Sequence, residues 1–106
     1  MRSPAFMFRV IVSVTASSAS AQPLLGDIAQ GHALARTVCA ECHRVERGQA
    51  ASNLSPAPAF QAIADDPSTT AMSLRVLLRT PHRNMPNLML SESDTDDIIG
   101  YIVSLK

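Results

Sequence analysis

The sequence predicts a single all-α domain, and three observations support this prediction. The chain has 106 residues, which is enough for one domain. No segment alternates apolar and polar residues with the period of two that a half-buried strand shows. Segments with helical apolar spacing follow residues that favour helix starts, at Asp27, at Thr69 or Thr70, and at Ser91. We therefore expect three to five helices.

The first helix is predicted to start at Asp27, which forms a capping-box pattern with Gln30. The helix runs directly into Cys39, and its apolar face consists of Ile28, Gly31, Leu34, Ala35 and Val38. A glycine inside a helix costs about 1 kcal/mol relative to alanine. Gly31 therefore indicates that another backbone or ring approaches this helix closely.

The remaining elements follow from turn residues and apolar spacing. Residues 48–58 are rich in Ala, Ser and Pro and predict a loop, and residues 59–64 predict a short helix. The next helix is stopped by Pro81, and its apolar positions are Met72, Leu74, Leu77 and Leu78. A loop over 81–90 precedes the last helix, where Ser91 and Asp94 form a second capping-box pattern. The apolar stripe of that helix is Ile98, Tyr101, Ile102 and Leu105.

The first 21 residues have the order of a secretory signal peptide. Arg2 and Arg9 precede a short apolar run, and the small-residue stretch that follows ends at Ala21, the predicted cleavage site. The apolar run is too short to cross a bilayer, which needs roughly 20 residues. We therefore expect export to the periplasm without stable membrane insertion. The serine-rich, acid-free composition is also found in mitochondrial transit peptides, which is the alternative.

The charge and composition of residues 22–106 narrow the partners and the core. Cleavage would remove two of nine basic residues and none of nine acidic ones, which leaves a net charge of −2. This near-neutral balance gives no reason to expect nucleic acid as a partner. The whole chain has only three Phe, one Tyr and no Trp. A domain this small and poor in aromatics needs a staple or a cofactor for stability.

The segment from Cys39 to His43 reads C-x-x-C-H, which is a c-type haem attachment motif. Residues three apart share one face of a helical turn, so both sulfurs can form thioethers with one edge of a porphyrin. The adjacent His43 can then bind the iron. Three alternatives are a plain disulfide, a redox dithiol and a zinc site. The dithiol normally has a βαβ context, and zinc needs about four ligands, for which only His32 and His82 are further candidates.

These residues resemble the small bacterial class I (monohaem) cytochromes c over about residues 26–106. The resemblance rests on the attachment motif, the proline segment at 55–60, the Met85-Pro86 pair in a late loop, and the terminal helix. It implies a cytochrome c fold around one covalently bound haem c. The chain departs from the common pattern at Ala35, where an aromatic residue is usual, and it has a single lysine, Lys106.

The resemblance also implies roles for individual residues. The carbonyl of Pro58, or else of Pro56, accepts a hydrogen bond from His43, and the iron is ligated by His43 and Met85. Tyr101 packs on Gly31. Two other methionines, Met72 and Met89, are expected to serve packing. A further alternative ligand is His82, which is expected to be a partly exposed residue near the haem edge.

The expected function is one-electron transfer between a periplasmic donor and a periplasmic acceptor. No residue suggests acid–base or nucleophilic catalysis, so the chain is not expected to be an enzyme. The alternatives are a haem subunit or dedicated electron acceptor of a periplasmic dehydrogenase, and a ligand-binding haem sensor. Docking is expected to use Arg75, Arg79 and Arg83, with most acids elsewhere, including four in the first turn of the last helix.

Overall fold

The computed structural model describes residues 10–14, 16, 25–80 and 84–106. It contains four α-helices, which are α1 (Ile28–Leu34), α2 (Phe60–Asp65), α3 (Ala71–Arg79) and α4 (Glu92–Ser104). None of the described residues lies in a β-strand, so the all-α prediction is confirmed. No described helix is long and apolar enough to cross a membrane. The predicted signal peptide falls mostly on residues 1–9, 15 and 17–21, which lie outside the described residues.

The helix starts use the predicted caps. The Asp27 side chain accepts a hydrogen bond from the backbone N–H of Gln30, and Ser91 accepts one from Asp94. Of the two threonines considered for α3, Thr70 is the cap, and it forms a reciprocal capping box with Ser73. Each of these bonds satisfies a backbone donor that the first turn of a helix leaves unpaired.

The two terminal helices cross at a point without side chains. A Cβ atom added to Gly31 would overlap the backbone carbonyl of Asp97 in α4 and lie 3.0 Å from the Cβ of Tyr101. The side chain of Asp97 also accepts a hydrogen bond of 2.6 Å from the backbone N–H of Asp27, at the start of α1. The predicted close approach at Gly31 is therefore present, and the backbone of α4 approaches more closely than the tyrosine does.

Helix α4 contributes more buried residues than any other described helix. All four predicted residues of its apolar stripe are buried, and so are Thr95, Ile99 and Gly100. Three predicted apolar positions on other helices lie instead at the surface, with exposed fractions of 52 % for Ile28, 68 % for Met72 and 43 % for Leu77. The expectation that Met72 packs in the core is therefore wrong.

Side chains from distant segments hold the C-terminal end of α4. Arg47 donates to the carbonyl of Ser104 over 2.8 Å, and the Gln61 amide donates to the carbonyl of Leu105 over 2.7 Å. These carbonyls have no partner within the helix, and a cation there also complements the helix dipole. Arg47 thereby attaches the loop after the attachment motif to α4, and Gln61 attaches helix α2 to it.

Candidate functional site

The attachment motif lies at the end of a continuous helical segment. Beyond α1 the chain continues as a π-helical segment, Ala35–Cys39, in which Ala40 donates to the carbonyl of Ala35 over 2.9 Å. The wider hydrogen-bonding pattern accommodates one extra residue and rotates the side chains that follow. The sequence predicted a continuous helix here. Because π-helical segments have no characteristic sequence pattern, the apolar spacing did not reveal this one.

Cys39, Cys42 and His43 are brought together by one turn. The carbonyl of Cys39 accepts from the backbone N–H of His43 over 2.9 Å and from that of Cys42 over 3.2 Å. Cys39 is buried, Cys42 is exposed and His43 is half-buried. The two cysteines form no disulfide with each other. Cys39 lies in the core and Cys42 lies at the surface.

Burial raises the pKa of the Cys39 thiol to about 11. A thiol with such a pKa is almost entirely protonated at neutral pH, whereas a redox dithiol requires a readily formed thiolate. Buried Cys39 is therefore a poor nucleophile in this arrangement.

The imidazole of His43 is fixed from two sides. Its Nδ1 lies 2.6 Å from the carbonyl oxygen of Pro58, and its ring centroid lies 5.2 Å from that of Phe60. A carbonyl can only accept, so Nδ1 is the donor, and in the neutral imidazole Nε2 then has a lone pair that can bind a metal. Of the two prolines considered, Pro58 is the residue that makes this hydrogen bond.

A series of aromatic rings extends from His43 to the surface. Phe60 lies 6.4 Å from Tyr101 between ring centroids, and Tyr101 stacks on His32 at 4.7 Å. The Tyr101 hydroxyl donates to the carbonyl of Val45 over 2.5 Å. His32 is half-buried. Sequence spacing did not indicate that it forms the outer end of this series.

The candidate sulfur ligand lies in the segment between α3 and α4. Met85 is half-buried and follows Asn84, whose φ of 66° places it in the left-handed region that asparagine tolerates. Met72 and Met89 are more exposed, at 68 % and 94 %. His82 lies outside the described residues.

The residues of the site fit a covalently held haem. The turn supplies two thiols and an imidazole with a free Nε2, which is the donor set that such a group requires. Several large apolar side chains between residues 28 and 89 are exposed, namely Ile28, Leu54, Met72, Val76, Leu77 and Met89. Within the described part of the chain, no cluster of three or more His, Cys, Asp or Glu side chains could hold a metal ion such as zinc.

Comparison with known proteins agrees with this geometry. The family model described as cytochrome c matches residues 28–106. The chain is 37 % identical over 97 residues to cytochrome c-552 of Bradyrhizobium diazoefficiens. The aligned region covers 92 % of this chain and 90 % of that protein. The search of solved structures found no match.

Proposed function

Because this chain belongs to the cytochrome c family, we propose that it is a periplasmic one-electron carrier with a single haem c. The thiols of Cys39 and Cys42 would hold the haem through thioether bonds, and His43 and Met85 would ligate its iron. When bound, the haem supplies a one-electron couple of ferric and ferrous iron. The proposed activity is electron transfer alone, and no residue is assigned a catalytic role.

The observation that carries this proposal is the hydrogen bond between His43 and Pro58. Nδ1–H donates to the Pro58 carbonyl at 2.6 Å, which holds the imidazole in one tautomer with Nε2 available. Such a bond also raises the basicity of the ligating nitrogen. A histidine that is fixed before it binds iron needs little rearrangement when the iron changes oxidation state.

A methionine ligand distinguishes a carrier from a sensor. With both axial positions filled, small ligands such as carbon monoxide cannot reach the iron, and the reduction potential is raised. Met85 is the best candidate because it is partly buried in a non-helical segment, whereas Met89 is almost fully exposed. The segment that contains Met85 leads to Ser91, the N-cap residue of α4.

Two measurements test the proposal. The intact mass of the exported protein should equal residues 22–106 plus one haem, as expected from cleavage after Ala21, and a bare-chain mass would refute haem attachment. Met85→Ala should abolish the sulfur-to-iron absorption band and allow carbon monoxide to bind, with Met89→Ala as the matched control. If Met89→Ala removes the band and Met85→Ala keeps it, the ligand assignment is wrong.

A further inference from the structure

Ion pairs hold α3 against α4. Arg75 forms an ion pair with Asp96, and Arg79 forms one of 2.8 Å with Glu92. Both acids belong to the first turns of α4, so the expectation that these acids lie apart from the arginines is wrong. Arg83, the third member of the predicted docking patch, lies outside the described residues.

The proline segment, residues 55–60, is held in a different way. It contains no charged side chain, so ion pairs cannot fix it. Pro56 and Pro58 have no backbone N–H, which leaves few donors for backbone hydrogen bonds. The N–H of Ala57 lies between them and donates to the side-chain oxygen of Ser55 over 3.3 Å. The Ser55 hydroxyl therefore provides the acceptor for the one backbone donor between the two prolines.

Two hydrogen bonds join the proline segment to the residues on either side of His43. The Ser55 hydroxyl donates to the carbonyl of Cys42, which precedes the histidine, over 2.7 Å. The backbone N–H of Phe60 donates to the carbonyl of Arg44, which follows it, over 2.9 Å. The hydrogen bond that His43 itself makes to the segment lies between these two. The segment and the attachment turn are thus joined on both sides of the imidazole.

Of the two flanking bonds, the one from Ser55 depends on a side chain. The N–H of Phe60 belongs to the backbone and is present whatever the side chain. A hydroxyl has one donor and two acceptor sites, so Ser55 can donate to Cys42 and accept from Ala57 at the same time. Because Ser55 is also half-buried, water would replace these bonds incompletely.

We propose that Ser55 is a positioning residue for the histidine ligand, because its hydroxyl holds the Pro58 carbonyl within hydrogen-bonding distance of Nδ1 of His43. The proposal rests on the proposed function, since it concerns the nitrogen pair of the imidazole that would ligate iron. A short bond from Nδ1–H raises the basicity of Nε2, and a more basic ligand favours the ferric state. Without the hydroxyl, the segment is free to move away from the turn, which weakens this bond and favours the ferrous state.

The test compares Ser55→Ala with the natural chain, both loaded with haem. In the reduced protein, NMR should show faster exchange of the His43 Nδ1–H proton with water in Ser55→Ala, because the Pro58 carbonyl holds it less tightly. The equilibrium constant for reduction of the iron by a redox mediator should rise about two- to tenfold, which is the range that one net hydrogen bond contributes. Ser55→Thr keeps the hydroxyl, so it should retain the natural exchange rate and equilibrium constant.

Ser52→Ala is the matched control in the same loop. The Ser52 hydroxyl accepts from the backbone N–H of Leu54 over 3.1 Å, within its own turn, so this variant should change neither measurement. An equal rise of the equilibrium constant in Ser52→Ala or in Ser55→Thr would overturn the positioning role. A loss of stability in Ser55→Ala with both readouts unchanged would also overturn it, because Ser55 would then serve the loop alone.

A pyridine haemochrome assay on the natural chain and on each variant separates the two proposals. A natural chain without haem refutes the proposed function. A haem-loaded Ser55→Ala with an unchanged equilibrium constant refutes the role of Ser55 alone.

Discussion

Substituting Gly31 by alanine tests the crossing of α1 and α4 directly. The new Cβ would overlap the carbonyl oxygen of Asp97, which lies inside α4. A side chain could rotate away from such an overlap, but a helical carbonyl cannot move without its helix. Relief therefore requires the two helices to separate, which would also disturb the packing of Tyr101 and the bond between Asp27 and Asp97.

Two opposing terms set the size of the effect. Replacing a helical glycine by alanine gains about 1 kcal/mol of helix propensity. Overpacking a rigid contact costs about 1–3 kcal/mol, and a backbone obstacle places Gly31→Ala near the upper end. The expected net loss is about 2 kcal/mol. At 4–8 °C for each kcal/mol in a domain of this size, Tm should fall by about 8–16 °C.

Guanidinium unfolding of the haem-loaded protein, followed by circular dichroism, measures the loss. Ala33→Gly at an exposed position of the same helix calibrates propensity alone and should cost about 1 kcal/mol. Gly100→Ala should cost less than Gly31→Ala, because its Cβ would lie 2.9 Å from the carbonyl oxygen of Gly26. If Gly31→Ala is as stable as the natural chain, the close approach does not constrain the fold.

Three further substitutions test contacts of α4 and of the histidine pocket. Burial raises the pKa of the Tyr101 hydroxyl because it disfavours the charged form. The stability that the buried neutral hydroxyl contributes should therefore be present below pH ~10 and be lost as pH rises through the folded-state pKa. Tyr101→Phe should remove that alkaline loss in pH-dependent unfolding, and an unchanged profile would contradict it. Asp97→Ala should cost about 1–2 kcal/mol because the backbone N–H of Asp27 loses its acceptor, whereas Asp97→Asn should keep most of the stability. Phe60→Ala should cost about 3–5 kcal/mol in denaturant unfolding, and a loss below 1 kcal/mol would mean that the ring is not packed.

Local signals in the sequence predicted the helices well. Caps such as Ser91 satisfy donors within one turn, so their function depends only on neighbouring residues. The stripe on α4 was predicted from its helical spacing, but the helix is buried on more than that face, because residues 98–102 are all buried. The C-x-x-C-H spacing was equally local, and the structure places Cys39, Cys42 and His43 in one turn.

Features that depend on distant partners were not predicted. The π-helical segment Ala35–Cys39 has the same residue types as an α-helix, and only its backbone hydrogen bond from Ala40 to Ala35 reveals it. The pairs between α3 and α4 join residues 13 and 21 positions apart, so helix spacing could not show that Arg79 and Arg75 are neutralised. Ile28 and Met72 followed the apolar period of their helices, but that period does not show where the packed face ends.

The stability of the fold and the orientation of His43 are linked through Tyr101. Its ring lies between His32 and Phe60, and its hydroxyl holds the carbonyl of Val45, two residues after His43. Phe60 in turn packs against the imidazole. Any shift of α4 relative to α1 therefore changes both the ring next to His43 and the backbone that follows it. We infer that substitutions at the helix crossing, such as Gly31→Ala, alter the orientation of the histidine as well as the free energy of unfolding.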